Sequence, residues 1–327
     1  MCFPALHTRS LLLLAVFSLW LPAPAPALIL DAGDGMGNTT APDDDPGWQN
    51  VGLHLGSPSV VYLGNRWILT ANHVGASIVT LEGKRYDPVA GSLVQLQNPD
   101  ETQADLLLFQ IDDDPGLPVL TIKASPLPIG EHVILISAGS SRSERVTVTS
   151  DDRGPIDGFL WQKDQTKRWG TNIVHGEPRP IEHIDTVTMA VPIVFDRIED
   201  RLGTRQEAVA AKGDSGGAVF SRADPLDPES SWTLSGILFS VASQTGRPTK
   251  SSFYGDVTWA ADLSHYRNQI LETIGLEPPT AELPATTKVS DSAEAVLPIP
   301  LLAVLVLSLF AGLAAWKASR RGRQSDR

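Results

Sequence analysis

Short apolar segments separated by turn residues fill the middle of this chain, and they restrict the folds that it can adopt. Residues 59–63 and 67–69 flank a Gly-Asn turn, which predicts a β-hairpin. Residues 106–111 form a continuous apolar run, as expected for a strand buried on both faces. Further strand patterns lie at 132–136, 146–148, 186–191, 217–220 and 234–241. With one predicted helix, capped by Asp262 and ended by Gly275, the chain is expected to be all-β with a C-terminal helix.

The composition restricts the chemistry that is available. The chain of 327 residues contains one cysteine, Cys2, in a segment that we expect to be removed. The mature protein therefore has no cysteine for a disulfide or for a cysteine-ligated metal site. A net charge of −12 argues against a nucleic-acid partner, which would need a basic surface. No segment predicts a catalytic metal, a nucleotide-binding loop or a redox cofactor, so we expect no cofactor.

Residues 1–27 have the three parts of a secretory signal peptide. Arg9 precedes an apolar run at 11–21, and the A-x-A site Ala25-Pro26-Ala27 predicts cleavage after its last residue. The alternative is an uncleaved anchor, but the apolar run is short and several prolines follow it. We therefore expect export, with residues 28–47 as a flexible lead-in rich in Gly, Asp, Thr and Pro.

The C-terminal end carries a second apolar segment. Residues 297–316 contain no charged residue and precede a basic tail, 317–327. About 20 apolar residues span a bilayer as a helix, and a basic flank stays in the cytoplasm. We expect residues 297–316 to be a single-pass anchor in a bacterial cell envelope. A linker at 277–296 would connect this anchor to the catalytic body, residues 48–276, which would lie outside the cytoplasm. The alternative is a C-terminal sorting signal from which a processing protease would release the protein.

A glycine-rich turn surrounds one serine, in the sequence Gly213-Asp214-Ser215-Gly216-Gly217. A hydroxyl nucleophile must be exposed on a tight turn, and glycines permit backbone conformations that are closed to other residues. Such a turn also supplies backbone N–H groups for the oxyanion of acyl transfer. The alternative is an ordinary glycine turn before a strand, but a chance match of five such residues is rare in a chain of this length. Ser215 is therefore the candidate nucleophile.

Two further segments place a histidine and an aspartate at strand ends. The strand at 67–69 leads into His73, and a strand end can hold a neutral imidazole rigidly enough for it to act as a base. Asp105 precedes the buried run at 106–111, where a carboxylate needs a partner such as a ring nitrogen. On its own, Asp105 is better explained as an acidic strand cap. The histidines that we interpret as structural or solvent-facing are His54, His132, His175, His183 and His265.

Together the three segments resemble the trypsin-like serine peptidases. The similar blocks are 69–73 (Leu-Thr-Ala-Asn-His), 104–108 (Ala-Asp-Leu-Leu-Leu) and 213–217 (Gly-Asp-Ser-Gly-Gly), in the order His, Asp, Ser that this family uses. The resemblance implies two packed six-stranded β-barrels with the site between them. It also implies His73 as the general base and Asp105 as the residue that orients it. The N–H groups of Gly213 and Ser215 would form the oxyanion hole.

The resemblance implies a serine endopeptidase that hydrolyses protein or peptide substrates through an acyl-enzyme at Ser215. Its specificity pocket would be unusual, because Val209 takes the floor position at which trypsins have an acidic residue. Phe239, Ser240 and Val241 replace the usual Ser-Trp-Gly on the pocket wall. We expect cleavage after a small or medium apolar residue.

The chain also departs from the family pattern. Members that are activated by cleavage gain an Ile-Val-Gly-Gly start whose amine pairs with the aspartate before the serine, and no such start is present. We therefore do not expect this kind of activation, and we expect Asp214 to pair with another cation. The stretch 150–185, which contains Trp161, is long for one connection and is either a substrate-binding loop or a surface insertion. Because Val241 would narrow the pocket, the first alternative function is a catalytically silent, peptide-binding envelope protein. A second alternative is a structural or adhesive envelope protein in which the β-structure is only a scaffold.

Overall fold

Two seven-stranded sheets form most of the body of the protein in its computed structural model. The structure describes residues 28–276 except 56–57, 151–153, 164–165 and 243–245. The predicted signal peptide, linker, apolar C-terminal segment and basic tail lie outside the described residues. Within the described ranges, no helix is long and apolar enough to cross a membrane.

The regular elements are mostly short strands. In chain order they are β1 (Ile29–Leu30), β2 (Val51–His54), β3 (Ser59–Gly64), β4 (Trp67–Thr70), β5 (Val79–Leu81), β6 (Lys84–Tyr86), β7 (Val94–Gln97), β8 (Gln103–Gln110), β9 (His132–Ser137), β10 (Ser140–Ser150), β11 (Gly154–Lys163), β12 (Arg168–Ile173), β13 (Arg179–His183), β14 (Thr186–Val194), β15 (Ala208–Val209), β16 (Ala218–Arg222), β17 (Trp232–Ala242), β18 (Ser251–Phe253) and β19 (Val257–Asp262). Two 3-10 helices, Trp48–Asn50 and Asn72–Val74, and one α-helix, α1 (Leu263–Ile274), accompany them.

The first sheet has the strand order β6-β5-β2-β3-β4-β8-β7, and the second has the order β12-β9-β16-β17-β19-β14-β13. The remaining strands form two smaller sheets, β10-β11-β18 and β1-β15. The all-β class with a C-terminal helix is confirmed. The two closed six-stranded barrels are not found: each large sheet has seven strands, and its edge strands do not pair into a ring among the described residues. The hairpins β5–β6 and β13–β14 add an edge strand to each sheet instead.

Strand β8 is buried along its length, as its apolar run predicts. Residues 104–109 are all buried. Leu106 belongs to the largest apolar cluster, which it shares with Phe239 of the second sheet, whereas Leu107 belongs to a separate cluster. Because side chains alternate between the faces of a strand, β8 is covered on both sides. Asp105, between these apolar residues, is consequently held in the interior.

Helix α1 begins and ends where the sequence predicts. The Asp262 side chain accepts a hydrogen bond from the N–H of Ser264 over 3.0 Å, which satisfies one of the free amides of the first turn. Gly275 follows the helix with a left-handed φ of 73°, a conformation that glycine adopts without strain. Tyr266 and Ile270 on the buried face join the largest apolar cluster.

Residues 28–47 differ from the expected flexible lead-in. β1 pairs with β15, with Ile29 opposite Val209. The side chains of Leu28, Ile29 and Leu30 are at most 1% exposed. The polar and turn-forming residues after Leu30 predict a flexible segment, whereas the three consecutive aliphatic side chains before them favour burial. Their burial stabilises the packed position of this segment.

The stretch 150–185 is built mainly of strands rather than of one long loop. It includes β11, which pairs with β10 and carries Trp161, and β13, which pairs with β14 and ends at His183. Both of these side chains border the cleft that contains Ser215.

Candidate active site

His73 lies just after β4, in the 3-10 helix Asn72–Val74. Its backbone N–H donates to Oδ1 of Asp105 over 2.9 Å, and its ring Nδ1 lies 2.7 Å from Oδ2 of the same carboxylate. These two contacts fix both the backbone and the ring of the histidine. The other ring nitrogen, Nε2, lies 2.9 Å from Oγ of Ser215. The structure thus brings the three predicted side chains into one hydrogen-bonded chain.

Asp105 is 1% exposed. Burial raises the pKa of its carboxyl, but the hydrogen bonds from the backbone and ring of His73 and from the ring of His183 outweigh burial, and the net pKa lies below its usual value. The carboxylate is therefore ionised at neutral pH and can only accept hydrogen bonds. Nδ1 of His73 must carry a proton, which leaves Nε2 of the neutral ring as an acceptor for the Ser215 hydroxyl.

The turn that carries Ser215 has a shape that requires glycine. Gly213 and Gly216 have φ values of 101° and 83°, which other residues rarely adopt. A Cβ on Gly216 would lie 1.9 Å from the carbonyl oxygen of Ser59, so no side chain fits there. The N–H of Ser59 in turn donates to the carbonyl oxygen of Ser215 over 2.9 Å. This bond ties the nucleophile's turn to β3 of the first sheet.

The predicted oxyanion hole is open to a ligand. The backbone N–H groups of Gly213 and Ser215 donate to no protein acceptor among the described residues. Both residues line a cavity of about 550 Å³ together with His73. Two unpaired amides beside a nucleophile are the donors that a developing oxyanion requires.

Asp214, directly before the nucleophile, is 0% exposed. Burial raises its pKa to about 7. Hydrogen bonds oppose this rise, and their donors are the hydroxyl of Ser137 and the N–H groups of Ala211, Leu28 and Gly139. The expected cation is not found, because no Lys, Arg or His within the described ranges forms an ion pair with Asp214. One donor, Leu28, is the residue that would begin the chain after the predicted cleavage.

Three of the four predicted pocket residues border the cleft beside the nucleophile. Phe239, Ser240 and Val241 line a space of about 430 Å³ that also contacts Ser215. Val209 does not line it, since its side chain is 1% exposed and borders a separate cavity of about 20 Å³. The floor position is therefore nearly closed.

Trp161 borders both the open cleft and the small cavity at Val209, as do Ala210 and Val241. Its Nε1 donates to Oγ of Ser252 over 2.9 Å, which holds the ring in place.

His73, Asp105 and His183 offer three potential metal ligands within 4.8 Å of one another, a grouping identified among the described residues. Nδ1 of each imidazole already lies close to Oδ2 of Asp105, at 2.7 and 2.9 Å. A metal ion at this point would displace both N–H protons and break the contact between His73 and the carboxylate. The arrangement fits a carboxylate with two hydrogen-bond donors better than a metal centre.

The sequence indicates a structural or solvent-facing role for His183, but in the structure its ring Nδ1 lies 2.9 Å from Oδ2 of Asp105. No local motif marks it. It ends β13, and its approach to β8 depends on how the second sheet packs against the first. The neighbours of Trp161 and Leu28 are likewise distant in sequence. The sequence therefore leaves Trp161 between a substrate-binding loop and a surface insertion, and it places Leu28 in a flexible lead-in.

No protein-family model matches this sequence, and no curated protein is similar to it. Several solved structures are similar in fold. A mutant of human heparin binding protein (CAP37) is 15% identical, with a TM-score of 0.46, over 71% of this chain and 94% of that chain. Neuropsin, a serine protease of mouse brain, is 17% identical, with a TM-score of 0.46, over 73% of this chain and 99% of that chain. The HtrA-type protease AlgW with a decapeptide is 19% identical, with a TM-score of 0.40, over 67% of this chain and 51% of that chain.

At such identities the likeness concerns the fold alone, and the chain spans about half the length of AlgW. The chain has two antiparallel β-sheets, a C-terminal helix, and a histidine, an aspartate and a serine in hydrogen-bond contact. These features make it similar in fold to the trypsin-like serine peptidases.

Proposed function

We propose that the protein is a serine endopeptidase that cleaves peptide bonds through an acyl-enzyme at Ser215. The observation that carries the proposal is the unbroken chain of contacts from Asp105 through His73 to Ser215, of 2.7 and 2.9 Å. A buried ionised carboxylate, an imidazole with a proton on Nδ1 and a hydroxyl, in this order, activate the hydroxyl for attack on a carbonyl carbon.

Each step of the proposed reaction uses one of these groups. Oγ of Ser215 attacks the substrate carbonyl carbon while Nε2 of His73 takes the hydroxyl proton. The N–H groups of Gly213 and Ser215 stabilise the negative charge that moves onto the carbonyl oxygen. His73 then passes its proton to the departing amine, the C–N bond breaks, and an ester remains on Ser215. A water that His73 deprotonates attacks this ester, which releases the acid and restores the hydroxyl.

A fluorophosphonate probe tests directly for an activated serine. We expect the exported protein, isolated with its N-terminus at Leu28, to gain the mass of one probe, located by peptide mass spectrometry on the segment that contains Ser215. The Ser215→Ala variant is the control and should gain no mass. If the unlabelled protein is folded by circular dichroism but takes up no probe, the catalytically silent, peptide-binding alternative is favoured.

We propose cleavage after a small apolar residue of a protein or peptide substrate. The cavity at Val209 has a volume of about 20 Å³, which is close to the space of one water molecule. Phe239 and Val241 on the wall of the open cleft are apolar, and a basic substrate side chain would find no acidic partner at Val209. A medium-sized side chain would require the indole of Trp161 to move.

Replacing Trp161 with alanine should open the specificity pocket toward Val209. We expect kcat/KM for peptides with Leu or Phe before the scissile bond to rise about tenfold or more relative to peptides with Ala there, because extra apolar contact in a pocket changes selectivity by this order. The measurement is hydrolysis of fluorogenic peptides that differ only at this residue. Trp161→Phe, which loses the bond to Ser252 but keeps an aromatic ring, should retain the preference for Ala; equal selectivity in all three proteins would contradict the assignment.

We further propose that the protein is exported into a bacterial cell envelope and is cleaved after Ala27. Two observations support cleavage at this bond: Leu28 is 0% exposed, and its N–H lies on the buried carboxyl of Asp214. Residues 297–316 would hold the mature protein in the membrane, or act as a sorting signal from which a processing protease releases it. N-terminal sequencing of protein isolated from the envelope fraction should begin at Leu28, and a start at Met1 would contradict the proposal.

A further inference from the structure

A second histidine contacts the carboxylate that orients His73. Nδ1 of His183, at the end of β13, lies 2.9 Å from Oδ2 of Asp105, the same oxygen that Nδ1 of His73 approaches to 2.7 Å. The two imidazole rings meet edge to face, with their centroids 5.2 Å apart. The His183 ring also packs edge to face on Phe239, at 5.8 Å, so it is held between the catalytic residues and the wall of the cleft.

The other contacts of Asp105 show what this bond adds. Oδ1 accepts the backbone N–H of His73, and the backbone N–H of Asp105 itself donates to Oγ1 of Thr188 over 2.9 Å. Among the described residues, the side chains that donate to the carboxylate are His73 and His183. Without His183, the rotation of this carboxylate would be fixed only by the residue that it has to orient.

The charge of Asp105 also depends on these donors. A carboxylate that is 1% exposed is disfavoured by desolvation, and each donor to its charged form opposes that effect. An ionised carboxylate has no proton to give, so each imidazole must present a protonated Nδ1 to it. His183 can do this in its neutral form, which adds a hydrogen bond without a net charge beside His73.

We propose that His183 is a positioning residue for the proposed serine peptidase reaction: its Nδ1–H holds the carboxylate of Asp105 in the orientation that fixes the His73 ring. This inference rests on the proposed function. It adds a member to the catalytic hydrogen-bond network on a strand, β13, that carries none of the predicted residues. His183 acts through Asp105 and transfers no proton to or from the substrate.

Protonation of His183 would act against catalysis. The imidazolium that His73 forms when it takes the Ser215 proton would then lie beside a second positive ring, 5.2 Å away between centroids. The titratable groups that contact His183 are Asp105 of β8 and His73, whose ring it meets edge to face. The third contact, Phe239 of β17, is uncharged. On the hairpin of His183 itself, Glu182 and Asp185 are exposed to solvent.

Two substitutions separate positioning from packing. His183→Leu keeps an apolar side chain of similar size but removes the donor, and His183→Asn keeps an N–H group near the position of Nδ1. We expect kcat to fall about 10- to 100-fold in the leucine variant, as for removal of a supporting hydrogen bond, with KM changed less than about threefold. The asparagine variant should recover most of kcat. His265→Asn, at an exposed position on α1, is the matched control and should match the wild type.

The pH profile supplies a readout that a packing role would not change. We expect the acidic limb of log kcat/KM to be steeper in the wild type than in His183→Asn, because a second positive ring beside His73 opposes the imidazolium that forms there. The rate of fluorophosphonate labelling, measured with the chain that begins at Leu28 over the same pH range, should follow the same pattern. Thermal melting of each variant shows whether it remains folded.

The outcomes distinguish this inference from the proposed function. If the wild type takes up no probe, the proposed peptidase fails and the role of His183 fails with it. If the wild type is labelled and cleaves peptide but the folded leucine and asparagine variants have the same kcat, or lose it equally, the positioning role is overturned while the peptidase stands.

Discussion

Alanine in place of Ser215 is expected to lower kcat/KM for peptide hydrolysis by about 10⁴- to 10⁶-fold. The hydroxyl forms the bond to the acyl group, and Nε2 of His73 contacts no other nucleophile among the described residues. The melting temperature should change little, because Oγ of Ser215 makes one hydrogen bond to the described residues and the turn is held by its backbone bond to Ser59. Steady-state hydrolysis of a fluorogenic peptide with Ala before the scissile bond, together with thermal melts, gives both quantities.

The three catalytic side chains should also behave as one unit. His73→Ala should cost about as much as Ser215→Ala, and the double variant should be no slower than either, because both remove the same proton transfer. Asp105→Asn should lower kcat by about 10⁴-fold, since an amide that donates to Nδ1 favours the wrong tautomer of His73. If the effects of the two alanine substitutions multiplied in the double variant, or if Ser215→Ala kept activity within tenfold of the wild type, the nucleophile would lie elsewhere.

The parts of the site that depend on local sequence could be predicted. His73 follows an apolar strand, Asp105 precedes a run of buried residues, and the glycines around Ser215 meet a backbone requirement that is visible in five consecutive residues. The helix α1 carries its cap and its stop within its own segment. Each of these signals is complete within about a dozen residues, so no knowledge of distant contacts is needed.

The parts that depend on distant contacts could not be predicted in this way. His183 approaches Asp105 across 78 positions of the chain, and Trp161 is held by Ser252 across 91 positions. Closed barrels were expected from the family resemblance, but closure depends on pairing between edge strands, which alternation along each strand does not encode. The polar residues after Leu28 predict a flexible segment, whereas its side chain is buried in an apolar cluster with Leu135 and Val219, and its N–H meets Asp214. All of these partners are distant in sequence.

A chain that begins at Leu28 should be far more active than one that retains even a single residue before it. With Ala27 attached, the nitrogen of Leu28 is an uncharged amide that donates one hydrogen bond to Asp214. After cleavage it becomes an ammonium group, the cation that the described side chains do not supply. This prediction reverses the expectation drawn from the missing Ile-Val-Gly-Gly start, because the contact of Leu28 with Asp214 does not depend on that sequence. Leu28 has a φ of 59° in the intact chain, a region that leucine rarely occupies, and this dihedral no longer exists once the preceding bond is cut.

The expected effect follows from the location of Asp214, which precedes the nucleophile and shares its turn with the oxyanion-hole amides. An unpaired buried charge costs about 3–5 kcal/mol relative to a paired one, so the ion pair should favour the formed turn by a factor of about 10² or more. We expect the rate of fluorophosphonate labelling to rise by this factor when a removable leader is cut to leave Leu28 at the N-terminus. A chain that starts one residue earlier, at Ala27, is the matched control. When both chains also carry Asp214→Asn, they should react at the same slow rate. A difference between their labelling rates would then contradict the ion-pair explanation.

The same pair predicts how stability depends on pH. In the uncut chain the carboxyl of Asp214 has its pKa raised from 3.8 to about 7, so between these pH values the folded chain binds more protons than the unfolded chain. Its free energy of unfolding therefore falls as the pH rises through this range, by about 4 kcal/mol at most, and stays low above it. In the chain that starts at Leu28, the ammonium group favours the ionised carboxylate and lowers its pKa, so this loss should be much smaller. Melting temperatures of the two chains should be similar near pH 4 and diverge by pH 7.5, with the cleaved chain the more stable; parallel curves would show that Asp214 does not receive the new terminus.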